Sequence, residues 1–160
     1  MQTNENSIPA YSDALISDFS DPGFKAAFKV YFAELGIEVK DWDGLFREMN
    51  DEGGNRAWLR TAADGSVIGF LQFKQEKFTS WFFEETCGFI REFWIADLYR
   101  GQGHGTALLR LTEEHFKEQE MFTSILTTDT AERFYLQNGY QRAPGCKAKN
   151  GDMVYIKRLL

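Results

Sequence analysis

Apolar positions along the 160-residue chain follow two spacings, and the alternation between them outlines the elements. Phe24, Ala27, Phe28, Tyr31, Phe32 and Leu35 recur at three- and four-residue steps, as on a helix with one buried stripe. Asp21-Pro22 in front of them pairs an N-cap side chain with a ring suited to the first helical turn. Gly36 behind them is a stop. Asp41 opens a second helix, with Trp42, Leu45, Phe46 and Met49 on its stripe. Most of these rings are expected in the core. Upstream, residues 14–19 read as a first strand and residues 1–10 as a polar, frayed start. Downstream, residues 51–55 form a glycine-rich loop. Residues 56–62 and 67–73 are β-rich runs joined through Asp64-Gly65, which predicts a hairpin.

Residues 74–77 read as a charged turn or strand end, and residues 87–95 as a strand. Between them stand Trp81, Phe82 and Phe83. Neighbouring residues of a strand point to opposite faces, so three adjacent rings cannot share one. Either they line a cleft, as a wall of an acceptor pocket, or they make a loop or dimer contact. Residues 104–118 carry Ala107, Leu108 and Leu111 at helical spacing. Residues 122–127 are β-rich, 128–138 helical up to Gly139, and 140–142 begin another strand. Asn150-Gly151 turns a last hairpin into 153–159. Two helices, a hairpin, then strand-helix-strand-helix-strand-strand make a mixed α/β domain. No repeat or long linker divides it, so residues 1–160 are expected to form a single domain.

Composition narrows the classes. A hydrophobic content of 43% supports a packed core. The formal net charge of −6 repels phosphate backbones, so nucleic acid is not an expected partner. Lys147, Lys149, Lys157 and Arg158 read as the solvated face of a hairpin. Cys87 and Cys146 are too few for a disulfide scaffold, and with two histidines they lack metal-ligand spacing, so no metal is expected. No apolar run reaches the ~20 residues of a membrane span, and the opening MQTNENS lacks a signal-peptide core. A reduced, cytoplasmic, soluble protein is the expectation.

The chemistry concentrates in residues 90–110, IREFWIADLYRGQGHGTALLR. A short apolar strand at 90–95 turns into Arg100-Gly101-Gln102-Gly103-His104-Gly105 and then a helix. Glycines at such a junction let main-chain N–H groups approach an anion, and the helix N-terminus adds about half a positive charge. Arg100 can close a fork on phosphate oxygens. No Lys-Ser or Lys-Thr follows the last glycine as in a P-loop, and the three-glycine dinucleotide fingerprint is missing. Arg100, Gly103 and Gly105 do resemble the coenzyme A motif of the GNAT N-acetyltransferase superfamily. That motif has Arg or Gln, two residues, Gly, one residue, then Gly or Ala. Ile90-Arg91-Glu92-Phe93-Trp94-Ile95 is similar to the strand preceding it in the family, although Asp97 stands where Pro is common. Residues 128–140, TDTAERFYLQNGY, resemble the family's C-terminal signature through Ala131, Tyr135, Gly139 and Tyr140, with Thr128 in place of Asn.

The resemblance implies a GNAT-like acyl-CoA N-acyltransferase fold: a central, mostly antiparallel sheet flanked by about four helices. It implies acetyl-CoA as cofactor. The main chain along Phe93, Trp94 and Ile95 would pair with the pantetheine arm like an added strand. Arg100, Gly101, Gln102, Gly103, His104, Gly105 and Thr106 would hold the pyrophosphate, and Thr128 and Tyr135 would border the cofactor.

Moving acetyl from a thioester to an amine needs a neutral amine, a polarised carbonyl and a protonated leaving thiolate. Glu92 is the candidate base, because burial inside a strand would raise its pKa into a useful range. It also reads as a structural acid paired with Arg91 or a neighbouring strand. Glu84 and Glu85 are rival bases if the aromatic segment lines the cleft. An N–H near Ile95, freed where the strand splays at the glycine turn, would polarise the carbonyl. Tyr135 is the candidate acid, or else a core tyrosine. His115 lies on a buried stripe and reads as structural, and His104 contributes its main-chain N–H. The expected activity is direct acetyl transfer from acetyl-CoA to a primary amine. A cationic, partly apolar small molecule suits the acidic balance and aromatic lining. A protein N-terminus or lysine is the second acceptor class, a non-catalytic acyl-CoA sensor the alternative outside enzymes, and a homodimer stays open.

Overall fold

The computed structural model describes residues 10–160; apart from Ala10, the frayed start expected at 1–10 lies outside the described residues. Its strands are β1 (Tyr11–Ile16), β2 (Asn55–Ala62), β3 (Val67–Thr79), β4 (Glu84–Ile95), β5 (Thr123–Thr128), β6 (Gln141–Arg142) and β7 (Met153–Arg158). They form one seven-stranded sheet in the order β1-β2-β3-β4-β5-β7-β6. Every neighbouring pair is antiparallel except β4 with β5. Helices α1 (Pro22–Glu34) and α2 (Trp42–Glu52) pack on one face, and α3 (His104–Glu118) and α4 (Glu132–Gln137) on the other. The mostly antiparallel sheet with four flanking helices is the expected architecture.

Local chemistry starts and stops these elements as the spacing predicts. The Asp21 carboxylate accepts the Phe24 N–H at 2.9 Å, and Asp41 accepts that of Gly44 at 2.9 Å. The stripes of α1 and α2 bury Phe24, Phe28 and Phe46 against Phe70 and Trp94. Leu108, Leu109 and Phe116 of α3 pack on Leu71, Ile90 and Leu126. A side chain at Gly88 would put Cβ 2.3 Å from the Phe116 ring, so the bare glycine lets α3 lie against β4.

Four segments differ from the sequence reading. The first strand is Tyr11–Ile16 rather than 14–19, because it pairs Tyr11 with Ala62 and Ile16 with Ala57. Phe19 leaves the sheet to become a fully buried core ring. Residues 74–77 do not turn: β3 continues to Thr79 opposite Glu84. Ion pairs of Lys74 with Glu52 and Glu76, and of Lys77 with Glu84, support its charged extension. Trp81, Phe82 and Phe83 therefore occupy a hairpin tip, where they are 90%, 94% and 57% exposed. The last helix starts at Glu132 rather than Thr128, since Thr128 Oγ1 accepts the Ala131 N–H at 3.0 Å and holds a capping turn. Lys157, expected on a solvated face, is half-buried and pairs with Glu113, while Arg158 stays exposed as expected beside Glu85.

Two irregularities in β4 set the geometry of its C-terminal half. Gln72 pairs with Glu92 but Phe73 pairs with Ile90, so Arg91 is an extra residue, a bulge. In addition, β4 and β5 pair only at Gly88 with Ser124 and Phe89 with Ile125. The strands part well before the glycine turn.

Candidate active site

The parting of β4 and β5 leaves the end of β4 with an open edge. Ala96 N–H donates to Ile68 of the β3 side at 2.8 Å, so alternation turns the main-chain groups of Phe93 and Ile95 outward, to the open edge. Arg100 Nε donates to the Ile95 carbonyl at 2.9 Å, as that direction requires. Along this edge lies a cleft of about 500 Å³. Tyr31 and Glu34 of α1 form one wall and Ala131, Phe134 and Tyr135 the other, with Gly105 at the start of α3 between them.

The glycine loop ends in Gly103, the N-cap of α3, at φ 86° and with no side-chain cap. The first N–H groups of α3 have no intrahelical partner, and the helix dipole makes that end positive. A Cβ on Gly103 would meet nothing within 4 Å, so the glycine supplies left-handed backbone rather than room. An anion and an extended chain fit this combination of uncapped helix start and open strand edge.

The other loop residues are placed less simply. Arg100 does not reach over the loop; it bonds Ile95, Asp97 at 3.3 Å and Glu34 at 2.8 Å. The Gln102 amide donates to the Leu98 carbonyl at 3.2 Å. The His104 ring turns towards β2, with Nδ1 3.0 Å from a nitrogen of the buried Arg60, which also pairs with Asp13. Burial, then the Arg60 charge, pull the His104 pKa down. Gly101 is exposed and Thr106 half-buried on α3; neither lines the cleft.

Glu92 is not paired with Arg91, which bonds Glu52 at 2.8 Å. Its Oε2 accepts a hydrogen bond of 2.5 Å from the Tyr31 hydroxyl. Burial raises the Glu92 pKa, opposed by that hydrogen bond and by the Arg91 charge. Tyr135 is 6% exposed, and among the described residues no hydrogen bond holds its hydroxyl. Burial, and next the Glu92 charge, push the Tyr135 pKa well above the ordinary phenol value, and the same two causes raise Tyr31. Both phenols are thus held neutral and able to donate. The Tyr135 ring is wedged between Phe134 and Tyr140, at centroid distances of 5.2 and 5.6 Å. Tyr140 is itself fixed by Ser124 at 2.7 Å and Glu113 at 3.0 Å.

Glu84 and Glu85, the rival bases, lie away from the cleft. They begin β4, where Glu84 pairs with Lys77 and Glu85 accepts from Thr123 and Arg158. Roughly 25 Å of strand separates Glu84 from Glu92. The rings of residues 81–83 share that remote end and form no wall of the cleft. His115 is buried beside Phe73 and Trp58 at the other end of α3, along a separate cavity of about 380 Å³. Tyr31 and Glu34 are site residues that sequence reasoning missed. The only signal was that Tyr31 carries the one hydroxyl on the aromatic stripe of α1.

The model of the acetyltransferase (GNAT) family matches residues 13–140. Among curated proteins, none matches the sequence at a significant level. Solved structures share the fold. A predicted acetyltransferase of Clostridium acetobutylicum with acetyl-CoA has a TM-score of 0.71 at 18% identity, covering 86% of this chain and 94% of its own. The PaiA N-acetyltransferase of Thermoplasma acidophilum with coenzyme A gives 0.62 at 16%, covering 92% and 99%. An aminoglycoside acetyltransferase from an uncultured soil metagenomic sample, with trehalose, gives 0.63 at 14%, covering 81% and 84%.

Proposed function

Because the chain belongs to the acetyltransferase (GNAT) family, we propose that it transfers acetyl from acetyl-CoA directly to a primary amine. The acceptor is a small molecule in this reading, and no covalent enzyme intermediate forms. The observation that carries it is the open edge of β4, set between the uncapped start of α3 and the Tyr135 hydroxyl. Bound acetyl-CoA supplies the acetyl group as a thioester. The N–H groups of Gly103, His104 and Gly105 hold phosphate oxygens, and the main chain of Phe93 and Ile95 pairs with an extended arm. Arg100 joins the phosphate site by leaving Glu34. The Ile95 N–H polarises the acetyl carbonyl. Glu92 takes the ammonium proton of the acceptor, and the Tyr135 hydroxyl donates to the departing sulfur.

A cationic acceptor suits Glu34 at the cleft, Glu92 bonded to the cleft residue Tyr31, and the net charge of −6. Two free cysteines support a reducing, cytoplasmic setting, and the exposed tip at 81–83 supports a homodimer contact. The test is thiol release from acetyl-CoA with a panel of primary amines, with mass spectrometry of the acetylated product. Tight coenzyme A binding without release from any amine would replace the enzyme with a sensor.

A further inference from the structure

A smaller cavity of about 170 Å³ opens between the α1–α2 layer and β3–β4. It adjoins the cleft through one hydrogen bond: Glu92 lines the cavity, and its partner Tyr31 lines the cleft. Phe28, Phe32 and Met49 make the cavity apolar, while Glu48, Glu92 and Gln72 supply polar groups. Gln72 is the telling residue. It is 2% exposed, it stands opposite Glu92 across the strands, and its Oε1 has no hydrogen-bond partner among the described residues. Buried polar atoms are normally satisfied, so an orphan acceptor on a residue that lines a cavity points to a ligand that donates.

Charge and size define that ligand. Arg91 at the cavity is balanced by Glu52 at 2.8 Å, which leaves Glu48 and Glu92 as the net charge. An ammonium offers three donors, matching an orphan carbonyl oxygen and a carboxylate, and aromatic faces favour its charge and methylenes. Drug-sized molecules and sugars need cavities of roughly 300–1,000 Å³. A space of about 170 Å³ admits a slender head and stem, not a ring system.

We propose that this cavity seats the acceptor, a primary ammonium on an unbranched methylene stem held by Gln72 Oε1 and Glu92. The proposal rests on the acetyl-transfer reading. One ammonium proton passes to the Glu92 carboxylate, leaving a neutral amine and a neutral carboxyl group. Free alkylamines and lysine side chains share this chemistry. A peptide α-amine sits on a branched carbon and fits poorly.

The test uses the full chain with n-pentylamine, Nα-acetyl-lysine methylamide, an alanyl peptide and kanamycin as acceptors. Expected kcat/KM for n-pentylamine is at least tenfold above that for the peptide α-amine and kanamycin. An equal or higher value for the lysine derivative assigns the source to protein side chains. Gln72→Leu keeps the shape and removes the orphan amide. It should raise the amine KM about tenfold, leave the acetyl-CoA KM unchanged, and keep or raise Tm. Unchanged amine KM with a lower Tm makes Gln72 structural and overturns the proposal, as does a preference for kanamycin or the peptide α-amine. Calorimetric binding of n-pentylamine to the coenzyme A-loaded chain separates the two readings. Gln72-dependent binding without any thiol release would sink acetyl transfer and uphold the seat; absence of both sinks the seat.

Discussion

The Tyr31–Glu92 hydrogen bond yields the sharpest kinetic prediction. Tyr31→Phe removes one oxygen and keeps the ring, which packs on Phe28, Phe32 and Phe70 at centroid distances of 5.8, 5.6 and 5.7 Å. What disappears is the 2.5 Å hydrogen bond that opposes burial at the Glu92 carboxylate. A hydrogen bond to a charged group contributes about 1.5–3 kcal/mol. The Glu92 dissociation constant should then fall roughly 10- to 100-fold, and the ionised fraction by as much wherever the carboxyl is mostly protonated. In a pH series of thiol-release rates, the acid limb of kcat/KM should move to higher pH. The high-pH plateau should stay within a few-fold of the parent, and the acetyl-CoA KM should hold. An unmoved acid limb refutes the reasoning, because Glu92 would then not be the proton acceptor or Tyr31 would not set its charge. A uniform loss at every pH refutes it differently, by placing the Tyr31 hydroxyl in the transfer step itself.

Three further changes test the rest of the site. Tyr135→Phe should lower kcat about 10²–10⁴-fold with little change in coenzyme A affinity, and full turnover would return that tyrosine to the core. Gly103→Val places a β-branched residue at φ 86°, so the start of α3 must rearrange. Coenzyme A affinity by calorimetry should drop more than tenfold with the fold intact by circular dichroism; parental affinity would take the loop out of the phosphate site. Glu92→Gln tests burial. The folded chain holds Glu92 protonated above its ordinary 4.5, so the group's stabilising contribution is complete below that pH. It is lost as pH rises through the elevated folded value. The Tm of the variant minus that of the parent should therefore grow with pH, and a flat difference would mean an unperturbed carboxylate.

Much of the fold was legible because its signals are local. The caps Asp21 and Asp41, the Asp64-Gly65 turn and the 104–118 helix each depend on residues within a few positions, and each appears as expected. The glycine turn into α3 was legible for the same reason. Where the reading slipped, a partner strand or side chain decided. Lys74–Lys77 read as a charged turn or a strand end because charge was taken as a break. Opposite it, residues 84–89 offer a full set of main-chain partners, and the strand simply continues. Thr128 looked like a helix start until its hydroxyl was seen to cap Ala131.

The Tyr31–Glu92 hydrogen bond was hidden for a stricter reason. Tyr31 and Glu92 lie 61 residues apart, and the strand between Ile90 and Ile95 carries a parity change. Simple alternation puts Ile90 and Glu92 on one face, since side chains repeat every second residue. Ile90 packs in the core beneath α3, so that rule would place Glu92 under α3 as well, away from α1. The bulge at Arg91 adds one residue and inverts the faces of the residues after it. Glu92 now meets Tyr31 of α1, Trp94 joins the α1–α2 core, and Phe93 faces Phe134 across the cleft. The same extra residue puts Gln72 opposite Glu92, which is why an orphan amide and a buried carboxyl share one cavity. A single inserted position therefore decides which helix layer supplies the partner of Glu92.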